Sequence, residues 1–261
     1  MRRSLTIIDP DDVIKKRDTY MDWGLKVKES NWFDQPEKDL EFVSIPGRNG
    51  DFVVNNGRYK NMEIEYTFSL QHPQAYEKLN KITSELQSVF PTKYLKLVDS
   101  VDPAHYRFGI WTGEISVNDM TNYYIEMTLA FNCKPLRYER GVIALKVSSG
   151  VIVDASSSLA NHTQSTAKPI VSIIPNSVPK EEIHCVLITN DTNLNIRYPA
   201  NADYMLFDSE KQVCFASIDA RLQNYSSNIN GTFPILGQGE NTMTLQGLDA
   251  TVKIEPRWMV L

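Results

Sequence analysis

The chain is poor in the residues from which most catalytic and metal centres are built, with 3 cysteines and 4 histidines in 261 residues. Cys133, Cys185 and Cys214 are odd in number, far apart and without C-x-x-C spacing. That pattern excludes a disulfide framework and predicts reduced thiols. Cys133 falls in phase with the apolar residues around it, as a core thiol does. His72, His105, His162 and His184 lack H-x-x-x-H or H-E-x-x-H spacing. The neighbours His184 and Cys185 point to opposite faces of any strand, so no zinc site is expected. There is no G-x-S-x-G, and Gly237-Gln-Gly239 lacks the third glycine and the following helix of a dinucleotide loop. No catalytic, cofactor-binding or metal-binding residue is therefore assigned, and the chain does not read as an enzyme. Glu114 and Glu126 are the carboxylates open to a glycosidase-type role. Glu63, Glu65 and Glu126, however, fall on the polar side of their strands, where solvation accounts for them.

Long apolar runs are also missing. No stretch of about 18 apolar residues exists, so no membrane span is expected. The run Leu5 to Ile8 is too short for a secretory signal core, which predicts a chain not exported by that route. The N-x-S/T sequons at Asn161, Asn190, Asn224 and Asn230 then read as turn vocabulary. A basic excess is absent as well: 27 Lys and Arg stand against 32 Asp and Glu, for a net charge of −5. A dedicated nucleic-acid binder needs clustered cations, so that class is disfavoured.

What is present is ordinary globular composition, 42% hydrophobic and 23% charged, enough for a core without metals or disulfides. Up to Arg140 the chain carries 19 basic and 21 acidic residues, and beyond it 8 and 11. Charge density falls by nearly half while net charge barely moves, which places a domain boundary near Arg140, giving domains 1–140 and 141–261. Period-two alternation dominates. Met62 to Leu70 and Tyr123 to Cys133 read as half-buried antiparallel strands, the second with Tyr123, Ile125, Met127, Leu129, Phe131 and Cys133 on one face. Further strands are expected at 25–27, 41–45, 94–98 and 106–117, bounded by turns such as Pro46-Gly47, Asn49-Gly50 and Asn56-Gly57. One segment departs from this rhythm. Tyr76, Leu79, Ile82, Leu86 and Val89 recur every three or four residues between Pro73 and Pro91, predicting a single amphipathic helix at about 73–90. The second half offers seven short strands at 170–174, 183–189, 194–198, 204–207, 212–216, 242–245 and 252–255. Asp208-Ser209-Glu210-Lys211 reads as a hairpin turn, and 156–166 as a loop or hairpin.

Ile45-Pro46-Gly47-Arg48-Asn49-Gly50-Asp51 sets one arginine in an unusually rigid turn. It reads either as a plain hairpin turn or as a presented guanidinium for a partner's carboxylate. With Phe52, Trp111-Thr112-Gly113 and Phe131-Asn132-Cys133-Lys134-Pro135, this segment resembles the distal tail (Dit) proteins of siphophages and their prophages. The C-terminal half adds Ala167-Lys168-Pro169-Ile170, Ile218-Asp219, Asn230-Gly231-Thr232-Phe233-Pro234-Ile235-Leu236, Gly239-Glu240-Asn241-Thr242 and Ile254-Glu255-Pro256-Arg257-Trp258.

The resemblance implies a mainly β chain. An N-terminal β-sandwich with one helix and a hairpin precedes a galectin-like, carbohydrate-module-like β-sandwich. It implies a virion structural protein at the tail tip, assembled as a homo-hexamer. Such a ring joins the major tail protein of the tube to the tail-associated protein and receptor-binding or baseplate proteins, and lets DNA pass without specific binding. Arg48, Asn49 and Asp51 become interface candidates. Pro46, Gly47, Gly50, Asn230, Gly231, Phe233 and Pro234 become structural turn residues. The alternative is a carbohydrate-binding module for host-wall adhesion, with Trp258 or Tyr204 stacking on a sugar.

Overall fold

The alternating segments become the two strands from which the first half is built, Met62–Gln71 and Tyr124–Cys133. They pair antiparallel without a break from Met62↔Cys133 to Gln71↔Tyr124. The computed structural model describes residues 3–10, 12–89, 92–148, 151–154, 159–163, 165–190 and 192–260, and shows a mainly β chain. It divides into two compact units, one ending at Arg137 and the other spanning Tyr138–Val260.

In the first unit the sheet runs, edge to edge, Asp12–Asp18, Leu5–Asp9, Leu95–Asp99, His105–Met120, Tyr124–Cys133, Met62–Gln71 and Lys26–Ser30. Ile64, Tyr66, Phe68 and Leu70 are buried on one side with Ile125, Met127, Leu129, Phe131 and Cys133. Tyr123 is exposed and lies outside the strand, because the chain turns between Thr121 and Tyr124 before the pairing starts. The predicted helix is Ala75–Val89. It covers this face with Ala75, Leu79, Ile82 and Leu86, while Tyr76 is exposed, because Ala75 takes the inward position of the first turn. Phe90 and Pro91 lie outside the described residues.

A second, short helix, Thr19–Trp23, is not predicted. Asp18 caps it by accepting from the Tyr20 and Met21 amides at 3.0 Å, and Gly24 closes it in the left-handed region at φ 73°. The Trp23 indole N–H donates to Glu85 at 2.9 Å, tying the two helices together. A separate two-stranded hairpin pairs Lys38–Val43 with Phe52–Tyr59. The predicted turn at Asn56-Gly57 falls inside its second strand. Gly57, at φ 69°, serves a bulge there, marked by the register shift between Lys38 and Leu40.

The second unit is a sandwich. One sheet runs Val151–Asp154, Ile143–Ser148, Ala250–Glu255, Ile170–Pro175, Ala202–Asp208, Val213–Ile218 and Arg221–Asn224. The other runs Ile229–Gly231, Thr192–Tyr198, Ile183–Thr189 and Met243–Gln246. Val171, Ile173, Met205, Phe207, Val252 and Ile254 of the first share one core with Cys185, Leu187, Leu194, Ile196 and Leu245 of the second. Within the predicted loop 156–166, residues 156–158 and Gln164 lie outside the described residues. All three cysteines are buried and free, and burial pushes each thiol up to about 12, so none is a nucleophile at neutral pH.

The turn after Asp208 is held by charge. Asp208 Oδ1 accepts from the Glu210 and Lys211 amides, and both carboxylate oxygens accept from Arg257, at 2.9 and 3.1 Å. Burial works against this carboxylate, yet the Arg257 guanidinium and the turn amides hold it below the usual range. Removing one partner strands a buried charge, so Arg257→Met is expected to cost about 3–5 kcal/mol in urea unfolding. R257M/D208L should recover most of that loss. A single-variant loss below about 1 kcal/mol would show that the pair does not hold the turn.

Candidate assembly surface

The hairpin 38–59 is where the first unit stops following the rule that apolar residues face inward. Phe42 pairs with Val53 and Val43 with Phe52 across the ribbon. Phe42 is 63%, Phe52 50% and Val53 49% exposed. A two-stranded ribbon has no second layer of its own, so apolar side chains here gain burial only from another surface.

The ribbon's tip explains its emphatic sequence. The Arg48 amide donates to the Ile45 carbonyl at 3.1 Å, with Pro46 and Gly47 between them and Gly47 at φ 82°. This is a type II turn, in which proline presets the second position and glycine supplies the positive φ of the third. Gly50 is also left-handed, at φ 83°. Pro46, Gly47, Arg48, Asn49, Gly50 and Asp51 are all exposed in this one loop. The Arg48 side chain makes no ion pair with any described residue.

The ribbon is fastened at its root. Trp32 is wholly buried and its indole N–H donates to Asp102 at 3.0 Å. Asp102 also accepts from His105 Nδ1 at 2.6 Å and Arg137 at 3.0 Å. Arg107, also wholly buried, donates to the carbonyls of Trp32, Asp34 and Pro135 and lies over the Trp32 ring at 5.5 Å. The segment 32–34 leading into the ribbon is thus gripped from two sides. Nearer the ribbon, Arg58 pairs with Asp39 at 2.6 Å. Sequence reasoning missed this root, because its five side chains are spread from Trp32 to Arg137 and converge only in the fold.

The other candidates stand apart from the loop in sequence and role. Asn230 and Gly231 lie in the strand Ile229–Gly231, paired to Asn195 and Leu194. An added Cβ on Gly231 would sit 2.2 Å from the Asn193 carbonyl. Phe233 packs against the core and Pro234 is buried. Trp258 is 5% exposed and its ring lies beside His162, 6.4 Å between centroids. Its face is therefore unavailable for stacking on a sugar, which corrects that expectation. Tyr204 is half-buried in the strand Ala202–Asp208. A cleft of about 450 Å³ in this unit is lined by Ser177, Pro179, Ile183, Gly247, Leu248 and Asp249, without an aromatic ring. Among the described residues no cluster could hold a metal ion, and no helix is long and apolar enough to cross a membrane.

Residues 23–133, which contain the hairpin, its root and the helix, match the family described as the phage tail protein RIFT-related domain. That match covers 111 of the 261 residues, all within the first unit. Over the whole chain the fold is that of distal tail proteins. It is similar to the Dit protein of phage SPP1, titled a paradigm of the hub adsorption apparatus in phages infecting Gram-positive hosts. That match has 14% identity and a TM-score of 0.61, covering 96% of this chain and 97% of that one. It is also similar to a chain of the phage P2 baseplate in its activated conformation with Ca, at 12% identity and a TM-score of 0.61, covering 97% and 98%. No curated protein matches the chain by sequence.

The root makes a pH-dependent contribution to the stability of this unit. Burial raises the Asp102 carboxyl, but hydrogen bonds from His105, Trp32 and Arg137 outweigh it and hold the group below its usual range. A carboxyl depressed in the fold contributes stability that is fully present above its unfolded value of about 3.9. That contribution is lost as pH falls through the folded value. The wild-type advantage over Asp102→Asn in urea unfolding is expected to be constant near neutrality and to vanish in that acid window. An advantage independent of pH would remove Asp102 from the root.

Proposed function

We propose that the chain is a structural distal tail protein of a siphophage-type tail. In this reading it assembles as a hexameric ring that joins the tail tube to the baseplate and receptor-binding apparatus. The observation that carries the reading is the rigidly rooted hairpin with exposed apolar residues in a domain that matches the tail-protein family. A ring closes only through head-to-tail contacts, in which each subunit offers two different surfaces. The hairpin supplies one of them. Phe42, Phe52 and Val53 bury apolar area against the neighbour, and Arg48, with Asn49 and Asp51, fixes the register through polar contacts. DNA crosses the lumen during ejection, and a wall without a basic excess lets phosphates pass without holding them. The net charge of −5 suits that demand. The domains are taken as a ring-forming N-terminal part and a galectin-like C-terminal part with their junction near Arg140. The role is architectural and needs no cofactor, and the protein is made in the host cytoplasm before entering the virion tail tip.

Light scattering on the purified protein is expected to give six times the 29.8 kDa mass of one chain, or twice that for stacked rings. Arg48→Glu is expected to shift the distribution toward monomer with unchanged circular dichroism. A monomer at every concentration and low salt would overturn the ring, and undiminished assembly of R48E would take Arg48 out of the interface.

A further inference from the structure

The chain contains three Asn-Gly steps, Asn49-Gly50, Asn56-Gly57 and Asn230-Gly231. In such a step the glycine amide nitrogen has no neighbouring side chain to shield it from the asparagine carboxamide. The fold separates the three. Within Asn56-Gly57 the Gly57 N–H is engaged, donating to Asn55 Oδ1 at 2.9 Å inside the strand Phe52–Tyr59. Asn230-Gly231 is laddered to Asn195 and Leu194. Its Asn230 carbonyl accepts from the Asn195 side chain at 3.3 Å, and Gly231 is pressed against the Asn193 carbonyl. Asn49-Gly50 has none of these restraints. Both residues are exposed and outside any strand, a Cβ added at Gly50 would meet nothing within 4 Å, and no described residue holds the Gly50 N–H.

We propose that Asn49 is a site of self-modification, where the chain's own Gly50 nitrogen converts the asparagine to aspartate or isoaspartate. The Gly50 amide gives its proton to solvent base and its nitrogen attacks Asn49 Cγ. A new N–Cγ bond forms, the Cγ–Nδ2 bond breaks, and Nδ2 takes a proton back from solvent and leaves as ammonia, closing a five-membered imide. Water then opens the imide at either carbonyl. One opening gives aspartate, and the other gives isoaspartate with the main chain rerouted through Cγ. The product carries a new carboxylate between Arg48 and Asp51, directly after the type II turn Ile45–Arg48. The consequence for assembly rests on the proposed ring: a free subunit ages out of competence, while a subunit whose tip is buried by its neighbour is protected. The chemistry itself does not depend on the ring.

The test is peptide mapping by mass spectrometry of the full chain, aged in mildly alkaline buffer at a dilution where light scattering reads monomer and reconcentrated before assembly is measured, with fragmentation that distinguishes isoaspartate. Asn49 is expected to exchange its amide for an acid at least about tenfold faster than Asn56 or Asn230. That ratio corresponds to about 1.4 kcal/mol, the scale of one net amide hydrogen bond. In denaturant the three rates should converge, and Asn49→Gln should abolish the fast phase. Equal rates in the folded chain, or a faster Asn56 or Asn230, would overturn the assignment. Light scattering reads the consequence separately, each protein against its own fresh level. Aged wild type is expected to lose assembly and aged N49Q to keep its level, and equal retention by both would overturn the link to assembly. If fresh protein never forms a ring, the functional reading fails while the mapping still decides the modification.

Discussion

The uninterrupted register between Met62–Gln71 and Tyr124–Cys133 is the constraint on which the first domain depends. Side chains alternate along each strand, so this pairing puts Ile64, Tyr66, Phe68 and Leu70 on the same face as Ile125, Met127, Leu129 and Phe131. Tyr66 meets Phe131 edge-on, 6.1 Å between ring centroids. A slip of one residue would turn one strand's apolar set to solvent, so the register is strongly selected. The face it creates gives the helix Ala75–Val89 its seat, and the helix in turn holds Trp23 through Glu85.

The hairpin follows from the same sheet at one remove. Arg107 and Asp102 belong to the strand His105–Met120 and the turn before it, and together with Arg137 they grip Trp32 and Asp34. Arg107 is a buried cation satisfied by carbonyls and a ring face, with its Nε unpaired among the described residues. A group this costly to bury holds a chain direction more firmly than apolar packing alone, because its donors demand fixed acceptors. The ribbon beyond is therefore presented at a set angle with its apolar side chains unmet. In the proposed ring, such a surface would be completed by the neighbouring subunit.

Elements with strong local signals were legible before folding was considered. The helix and the two long strands carry periodicities of 3.6 and 2, and the core positions of the second half follow the same alternation. Thr19–Trp23 carries no legible period, because five residues are too few to show one, although Asp18 before it and Gly24 after it are cap residues. Asn56-Gly57 suits turns and bulges alike, and only the partner strand distinguishes them. Trp258 looked available for a ligand because a terminal aromatic carries no local sign of burial. The core cluster to which it belongs draws on strands as far back as Ile143–Ser148.

The sequence by itself determined the β class, the single long helix, the buried cysteines and the tip of one loop. All of these depend on residue types and on neighbours a few positions apart. Only the tertiary structure decided which apolar side chains remain unburied, which charges anchor the ribbon, and which of three identical Asn-Gly steps is left open. Burial and hydrogen-bond satisfaction depend on contacts between segments distant in the chain, and no local pattern encodes a partner's position.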